Sequence, residues 1–419
     1  MRSMVSGDDF ADLRTTPYRL FFTSRTVSTL GDMMRPVVVV AAVVEAGYGA
    51  TGVGFALAAE MVPYALFVLF GGVLADRYSP RRMMIGADVL RFLTTGLLAA
   101  GFAFGTPPLW QILVLLGLNG LGSGLFQPGV ASVIPRVSSD VLRGNAILRL
   151  SESVMTVLGP AFAGVLLAVT DPWSGMAVDA ITFAVSAICL WRLRIQETTT
   201  EKVSLRRGLG QGWREFRSRE WLWGTIVVWM WSGLLCRGPS QTLGASFIVA
   251  ERGATTYGIV MAIYGAGNVV GGFAALRRRP PRPLVSGAAA VTTFAMSPLV
   301  VLCGLPTPWI ALGFFVHGVG ATFWLVLWHS TIQTHVPPDA LSRVHSFDVA
   351  GSRVATPVGR AVAGPASELM GLRPVLAVAV VTAVAVPAAL LSIPAVRAIR
   401  ANSADEETAE MSDGRHQRS

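Results

Sequence analysis

The sequence predicts an all-α membrane protein with twelve transmembrane helices. Hydrophobic residues make up 52% of its 419 residues, charged residues only 14%, and the mean hydropathy is +0.55. Soluble domains carry charge on about a quarter of their residues. Here the charges are crowded into short gaps between apolar runs of about 20 residues, the length that spans a bilayer as an α-helix. The runs are continuous rather than alternating, which favours helices over a transmembrane barrel.

The apolar runs define the predicted spans in order. They are residues 20–45, 52–75, 83–104, 109–134, 145–169, 174–193, 221–248, 254–276, 283–304, 308–333, 344–369 and 373–396. One long polar segment divides them six and six. We therefore expect an N-terminal six-helix half at 1–193, a cytoplasmic linker at 194–220, a C-terminal six-helix half at 221–399 and a disordered cytoplasmic tail at 400–419. No small-residue cleavage site follows a short apolar core near the start, so no cleaved signal peptide is expected.

Arginine falls into alternate gaps between the spans. The gaps after the second, fourth, sixth, eighth and tenth spans all contain arginine, whereas the gaps at 47–51, 105–108, 170–173 and 305–308 contain none; Arg252 and Arg373 are the exceptions. Because arginine prefers the cytoplasmic side, we expect both termini in the cytoplasm. This asymmetry also accounts for the net charge of +9 without a nucleic-acid partner. Lys202 is the only lysine, a usage typical of high-GC bacterial genomes, so we expect a bacterial cytoplasmic membrane.

The gap between the second and third spans carries a compact charged motif. It contains Gly72, Asp76, Arg77, Arg81 and Arg82 in the spacing Gly-x-x-x-Asp-Arg-x-x-x-Arg-Arg. This spacing resembles the loop between the second and third helices of major facilitator superfamily transporters. The resemblance implies a latch that holds the two halves in the outward-facing state through ion pairs and a helix dipole. The alternative, anchoring to anionic lipid, fits Arg81 and Arg82 but not Asp76.

The two predicted halves echo each other. Residues 71–77 resemble residues 271–277, and the segment at 134–160 resembles the segment at 336–357. In both cases the two copies lie about 200 residues apart. Two parallel halves around a central cavity, with the solute site between them at mid-depth, are the arrangement that the superfamily resemblance implies.

A closer resemblance covers nearly the whole span region. Residues 18–34, 144–148, 159–164, 179–183, 343–346 and 357–365 resemble segments of the third drug:proton antiporter branch, which includes macrolide, tetracycline and siderophore exporters. It implies proton-coupled export of small amphiphilic compounds by alternating access. Gly159, Pro160 and Gly164 resemble the core of the antiporter motif, where proline kinks the fifth span. The alternative is a lipid flippase or another lipid-handling membrane protein on the same scaffold.

Charged residues within the spans are the candidates for ion coupling, because a charge near the bilayer centre normally faces a partner or a wet cavity. Asp32 and Arg35 lie halfway along the first span and share a helix face at i,i+3 spacing. Glu60 lies well inside the second span. We expect Asp32 to carry the proton, with Arg35 as its counter-charge and Glu60 as the second candidate. The alternative is a structural ion pair that never titrates.

In the superfamily the first, fourth, seventh and tenth spans line the cavity. Carried onto this chain, that implies as lining residues Asn119, Gln127, Trp231, Arg237, His317, Trp324 and Trp328. Trp324 and Trp328 share a face at i,i+4 spacing and could stack on an aromatic or cationic solute. Helix packing is the more common use of such a pair. Trp221 is expected at the lipid interface.

Other chemistry finds little support in the sequence. The three cysteines are dispersed in apolar spans, so neither disulfides nor a zinc site is expected. No Gly-x-x-x-x-Gly-Lys-Ser/Thr loop for ATP and no clustered catalytic residues occur. We expect no enzyme activity, no cofactor and no metal. The expected partners are a small-molecule substrate, the proton and membrane lipid, and the chain is expected to be a monomer.

Overall fold

A computed structural model describes residues 15–77, 79–138, 140–195, 216–278, 280–336 and 338–400, which form helices and short turns without any strand. The first six helices are α1 (Thr16–Glu45), α2 (Gly49–Arg77), α3 (Pro80–Phe104), α4 (Leu109–Val137), α5 (Val141–Leu167) and α6 (Pro172–Arg192). The later helices are α7 (Glu220–Ser232), α8 (Gly238–Arg252), α9 (Ala254–Arg277), α10 (Pro283–Val291), α11 (Met296–Leu302), α12 (Thr307–His335), α13 (Pro338–Met370), α14 (Leu372–Ser392) and the short α15 (Pro394–Ala398).

Two pairs of these helices form continuous rods. One π-helical turn, Gly233–Arg237, joins α7 to α8, and one 3₁₀ turn, Thr292–Ala295, joins α10 to α11. Among the described residues, ten helical segments are long and apolar enough to cross a membrane. The rod α7–α8 and the helix α13, which carries charged residues along its length, are not among the ten but pack in the same bundle.

The helices pack in two sets with the same pairing pattern. In the first set α1 packs on α5 and α6, α2 on α4, and α3 on α4 and α6. In the second set α7–α8 packs on α13 and α14, α9 on α12, and α10–α11 on α12 and α14. Across the sets, α2 packs on α13 and α5 packs on α9. Each set thus contributes its corresponding helices to the contact with the other.

Tight turns connect the helices at one end of the bundle. This end, here called the short-turn end, carries the turns at residues 46–48, 105–108, 168–171, 253, 303–306 and 371. Gly253 and Gly371 each form a one-residue link with φ of 84° and 88°. Because residues with a side chain rarely adopt that backbone conformation, glycine permits the chain to reverse there without a longer loop.

Candidate functional site

Six charged side chains meet between four helices of the first set. They are Asp32 and Arg35 of α1, Glu60 of α2, Asp88 and Arg91 of α3, and Asp179 of α6, here called the Arg35–Arg91 cluster. Asp32 and Arg35 lie one turn apart, and so do Asp88 and Arg91, so each pair presents both charges on one helix face.

Arg35 is the hub of this cluster. Its Nη2 donates to Asp32 at 2.5 Å, its Nη1 to Glu60 at 2.6 Å and its Nε to Asp179 at 2.8 Å. The guanidinium therefore links α1, α2 and α6, and the Arg35 residue is only 4% exposed. Three carboxylates around one guanidinium satisfy its donors in three directions, a use for which the planar fork of arginine is well suited.

Arg91 supplies the second positive charge. Its Nη2 donates to Asp32, and its Nη1 lies 3.2 Å from Asp88. The guanidinium also stacks over the ring of Phe183 at 3.7 Å from the centroid. Asp88 accepts a hydrogen bond from Ser186, whose hydroxyl lies 2.7 Å from that of Ser24. An aromatic ring thus packs on Arg91, which is 1% exposed, and hydroxyls surround its buried partner Asp88.

The cluster holds four carboxylates against two guanidiniums. If every group were ionised, two negative charges would remain in excess. Uncompensated charge away from water costs several kcal/mol per ion. The cluster therefore has fewer guanidiniums than carboxylates, and Arg360 lies nearby at the cavity that Glu60 borders. A separate ion pair, Arg25 with Glu152 at 2.8 Å, joins α1 to α5 and is balanced in charge.

A cavity of about 210 Å³ lies beside the cluster, between α2, α4 and α13. Glu60 forms part of its wall, so this carboxylate contacts Arg35 on one side and the cavity on the other. Met61 and Tyr64 from α2 and Ser123 from α4 line it as well. Arg360 of α13 brings the second set of helices to the same cavity. The cavity therefore lies where the two helix sets meet.

The two sets meet closely towards the short-turn end. On α2 and α13, Thr51 donates to Glu368 at 2.6 Å, and a Cβ added to Gly364 would collide with the Cα of Thr51. On α5 and α9, a Cβ added to Gly258 would lie 2.5 Å from the Cα of Gly164. These two contacts are here called the glycine seams. Because glycine has no side chain, the helix backbones can approach closely at these contacts, as is common between membrane helices.

Four of the sequence-predicted cavity residues have different surroundings. Asn119 is buried and its amide donates to Thr95 at 2.8 Å, within the first helix set. Gln127 and Trp231 are exposed. Arg237 donates to Thr356 at 2.9 Å and lies 5.4 Å from the ring centre of Trp229. None of these four is among the residues that line the cavity next to Glu60.

The other three predicted cavity residues lie in an aromatic cluster of the second helix set. Trp324 and Trp328 stack with ring centres 5.7 Å apart, and Trp324, 4% exposed, also packs on Trp229. His317 contacts the hydroxyl of Ser297 at 2.7 Å and stacks on an aromatic ring. These contacts favour helix packing for the tryptophan pair.

The tryptophan expected in lipid is part of the same cluster. Trp221 is 6% exposed and meets Trp328 edge-on, with ring centres 5.6 Å apart. The expectation that its side chain faces the lipid interface is wrong, because it has a tryptophan partner on a neighbouring helix. Trp223, two residues further along the same helix, is the exposed one.

The predicted latch lies at the junction of α2 and α3, away from the short-turn end. Gly72, Asp76 and Arg77 belong to α2, but the side chains of residues 68–77 are outside the described part. Arg81, on α3, donates to the backbone carbonyls of Leu190 and Trp191 at the end of α6. Arg82 neighbours it on α3.

The predicted antiporter kink lies on α5 against two partners. A Cβ added to Gly159 would collide with the side chain of Met33, so α5 approaches α1 there. Gly164 contacts α9 in the second glycine seam. Pro160 lies between them inside the helix. This segment of α5 therefore packs on one helix of its own set and one of the other.

Four charged residues of this region were not singled out from the sequence as site residues. Asp88 and Arg91 repeat the i,i+3 acid–base spacing of Asp32 and Arg35, which was the available signal. Asp179 and Arg360 each lie inside a predicted apolar span, which alone marks a residue as a functional candidate in a membrane protein. Nothing in the sequence indicated which of them meet.

The apolar bundle with charged groups turned inward defines a class of protein, a multi-pass integral membrane protein built as a transporter rather than an enzyme. The chain belongs to the Major Facilitator Superfamily, whose family model matches residues 21–359.

Individual relatives and solved structures agree with this family. The MFS-type transporter y4rN of Sinorhizobium fredii is 26% identical over 81% of this chain and 86% of its own length. Macrolide efflux protein A of Enterococcus faecalis is 23% identical over 40% of this chain and 54% of its own length. Multidrug resistance protein MdtH of Klebsiella pneumoniae is 28% identical over 43% and 44%. The D-xylose-proton symporter structure, 13% identical, has a TM-score of 0.68 over 91% of this chain and 97% of its own, a likeness of fold.

Proposed function

We propose that the protein is a secondary active transporter that exports small amphiphilic compounds in exchange for protons by alternating access. The observation that carries this proposal is the position of the Arg35–Arg91 cluster. It has an excess of carboxylates, it lies inside the bundle, and its member Glu60 borders a cavity between the two helix sets. A site that gains and loses protons beside a solute cavity is what ion coupling requires.

We propose that the bundle consists of twelve spans in two six-helix repeats around a central cavity. The repeated pairing pattern supports this, because each helix pairing named above for α1–α6 has its counterpart within α7–α14. The turns also correspond. Gly47 after α1 and Gly253 after α8 have φ of 81° and 84°, so a glycine with positive φ follows both the first and the seventh span.

We propose that the short-turn end faces outward and both termini lie in the cytoplasm of a bacterium. Arginine supports this orientation, since among the described ends of helices Arg136, Arg192 and Arg277 lie opposite the short-turn end. Trp110, Trp173 and Trp309, all exposed, each lie in the first turn of a helix that begins at the short-turn end. Tryptophan side chains at the same end of several helices are typical of a membrane–water interface.

The proton is proposed to bind within the group Asp32, Arg35 and Glu60. Asp32 accepts from both Arg35 and Arg91, so its protonation would release two guanidiniums at once and loosen α1 from α3. Among the described residues Glu60 accepts from Arg35 alone, and it faces the cavity, which makes it the natural point at which a proton enters or leaves. Asp32 is the coupling site in this scheme, and Glu60 connects it to the cavity.

Alternating access is proposed to use the glycine seams and the predicted latch. With the short-turn end outward, closed seams correspond to a state sealed on the outside. Opening them requires the opposite end to close, which is the state that Gly72, Asp76, Arg77, Arg81 and Arg82 are proposed to latch. The segment Gly159, Pro160 and Gly164 is proposed as the flexible part of α5. Asn119, Gln127, Trp231, Arg237 and His317 remain proposed contacts of the substrate along its path.

Export rather than uptake is supported by two of the relatives, whose names describe macrolide efflux and multidrug resistance. The alternative candidate is a lipid flippase. It is favoured by a second, fully apolar groove of about 310 Å³ on the outer face of α3 and α6, which includes Phe92, Ala99 and Trp173.

The test uses inside-out vesicles from a pump-deficient bacterium that expresses the protein. Imposing an acid lumen should drive ethidium into the vesicles, because protons leaving the lumen exchange for the dye. Asp32→Asn should abolish this uptake while expression and membrane insertion stay normal, since a neutral amide cannot carry the proton. Arg252→Gln, which also neutralises one charge but lies at the end of α8, is the matched control and should transport normally.

Two results would contradict the proposal. Proton-driven uptake that persists in Asp32→Asn would move the coupling site to Glu60, and Glu60→Gln would then have to abolish it. Wild-type vesicles that take up no ethidium but equilibrate a fluorescent phospholipid between leaflets would favour the flippase.

A further inference from the structure

The cavity beside the Arg35–Arg91 cluster contains a cation that has no anionic hydrogen-bond partner among the described residues. Nε and Nη2 of Arg360 both point at Oε1 of Gln241, at 3.0 and 2.7 Å, and Nη1 donates to the backbone carbonyl of Leu57 at 3.1 Å. All three acceptor contacts are to neutral oxygens. None of the ion pairs within the described chain includes Arg360.

The edge of the guanidinium that Gln241 occupies can bind a carboxylate through two parallel hydrogen bonds. Nε and one Nη form the parallel pair of donors that a carboxylate accepts in bidentate geometry. Gln241 offers that edge a single neutral oxygen. A ligand carboxylate could replace it with two charged oxygens, and a hydrogen bond to a charged acceptor is about twice as strong as a neutral one.

The carboxylate that lines the same cavity already has another ion-pair partner. Glu60 lines the same cavity but is bonded to Arg35 at 2.6 Å, within a cluster that already has more carboxylates than guanidiniums. The cavity thus presents a positive group on the α13 wall and a negative group on the α2 wall. Ser123 adds a hydroxyl that has no hydrogen-bond partner in the described part of the chain. Met61 and Tyr64 supply apolar and aromatic surface.

We propose that this cavity binds the charged head of a zwitterionic amphiphile, with a carboxylate of the ligand on Arg360 and its cationic group facing Glu60. The inference rests on the proposed transport function and adds the substrate class. A cavity of about 210 Å³ takes the head of such a molecule, and the apolar remainder extends into the space between the helix sets. Gln241 holds the guanidinium in place while the ligand is absent.

The experiment uses a matched pair of dyes, tetramethylrhodamine and its methyl ester. Both carry the same cationic ring system, but only the free acid has a carboxylate. Binding is measured by fluorescence anisotropy on the purified full-length protein in nanodiscs at about pH 7.5, with empty nanodiscs subtracted. The wild type should bind the free acid about tenfold or more tightly than the ester, the factor that a hydrogen bond between charged groups contributes.

Two variants remove the interaction in different ways. Arg360→Gln removes the cation, and Gln241→Glu leaves Arg360 in place but supplies a carboxylate from the protein itself. Each should abolish the preference for the free acid over the ester, and neither should weaken binding of the ester, because both make the cavity less positive. Gln241→Glu keeps the size of the side chain, so it tests the site even if Arg360→Gln fails to fold. Arg252→Gln should retain the full preference for the acid.

The proposal is overturned if the wild type binds both dyes equally, if it binds neither, or if the preference survives in both variants. These outcomes are separate from the test of the transport function, which uses ethidium, a cation without a carboxylate. If ethidium uptake is driven by protons but the two rhodamines bind equally, the proposed carboxylate site on Arg360 is rejected while the proposed export function remains supported.

Discussion

Removing Arg35 should destabilise the first helix set more than any exposed charge change. In Arg35→Gln, Asp32, Glu60 and Asp179 lose their shared donor, and each of the three helices α1, α2 and α6 loses a contact to the hub. Breaking a buried ion pair by removing one partner costs about 3–5 kcal/mol, because the remaining charge is left without compensation. Asp32 still accepts from Arg91, whereas Glu60 and Asp179 keep no other ion-pair partner among the described residues.

The expected shift in melting temperature follows from this free energy. For a unit of this size, about 1 kcal/mol corresponds to roughly 2–4 °C, so the variant should melt roughly 10 °C below the wild type. The assay heats detergent-solubilised protein and measures the monodisperse fraction by size-exclusion chromatography at one fixed heating time. Arg149→Gln is the matched control, because Arg149 is 82% exposed on its side chain, and loss of its pair with Glu152 should shift the melting temperature little.

A double variant tests whether charge compensation is the cause of the lost stability. The double variant Arg35→Gln, Asp179→Asn removes one carboxylate that Arg35→Gln leaves unpaired and allows the two new amide side chains to hydrogen-bond to each other. It should therefore recover part of the lost stability. If Arg35→Gln melts within about 2 °C of the wild type, or if the double variant melts lower than the single, the cluster is not held together by charge compensation.

Three further predictions concern the motion and the aromatic cluster. The first uses Thr51→Cys as a thiol reporter at the glycine seam between α2 and α13, in a background without native cysteines. Asp76→Asn should lower labelling of this cysteine, because loss of the latch favours the state closed on the outside. Unchanged labelling would mean that Asp76 is not part of a latch. Gly258→Val should raise labelling of the same reporter, because its side chain would collide with the backbone of α5 and force the seam apart; equal labelling would show that the seam tolerates the added atoms. Trp324→Ala should cost about 3–5 kcal/mol of stability by the cavity it leaves, seen as a lower melting temperature, whereas the exposed Trp309→Ala should not. A Trp324→Ala protein that melts normally but no longer transports ethidium would instead place Trp324 at the substrate.

The helices themselves could be predicted from the sequence, and the reason is the bilayer. Ten of the twelve predicted spans coincide with segments long and apolar enough to cross it, whereas 221–248 and 344–369 fall on the rod α7–α8 and on α13, which are not among these ten. The span at 221–248 illustrates what periodicity alone misses. It is not one regular helix, because the π-helical turn Gly233–Arg237 interrupts it.

The candidate site could be predicted only in part. Asp32, Arg35 and Glu60 stand out because each is a charge within an apolar span, and the structure brings these three together. Their partners Asp179 and Arg91 carry the same signal, but the sequence does not say which helices are neighbours or how each is rotated. The unknown rotation of each helix about its axis also explains why the role of the two tryptophans could not be predicted. An i,i+4 pair such as Trp324 and Trp328 has the same pattern whether its face meets a cavity or an adjacent helix.

The π-helical turn between α7 and α8 has a consequence for the alignment of the second helix set. A π turn accommodates one residue more than the α-helix around it, so the residues beyond it are displaced by one position in angle, about 100° in an α-helix of 3.6 residues per turn. If the same residues formed a regular α-helix instead, the side chain of Gln241 would be rotated away from Arg360 by that angle, whereas deleting one residue from Gly233–Arg237 would restore a regular helix and leave Gln241 facing Arg360. The additional residue of the π turn therefore determines that the α8 face carrying Gln241 points at Arg360, and a change between π and α geometry in this turn would rotate that face without altering Gln241 or Arg360.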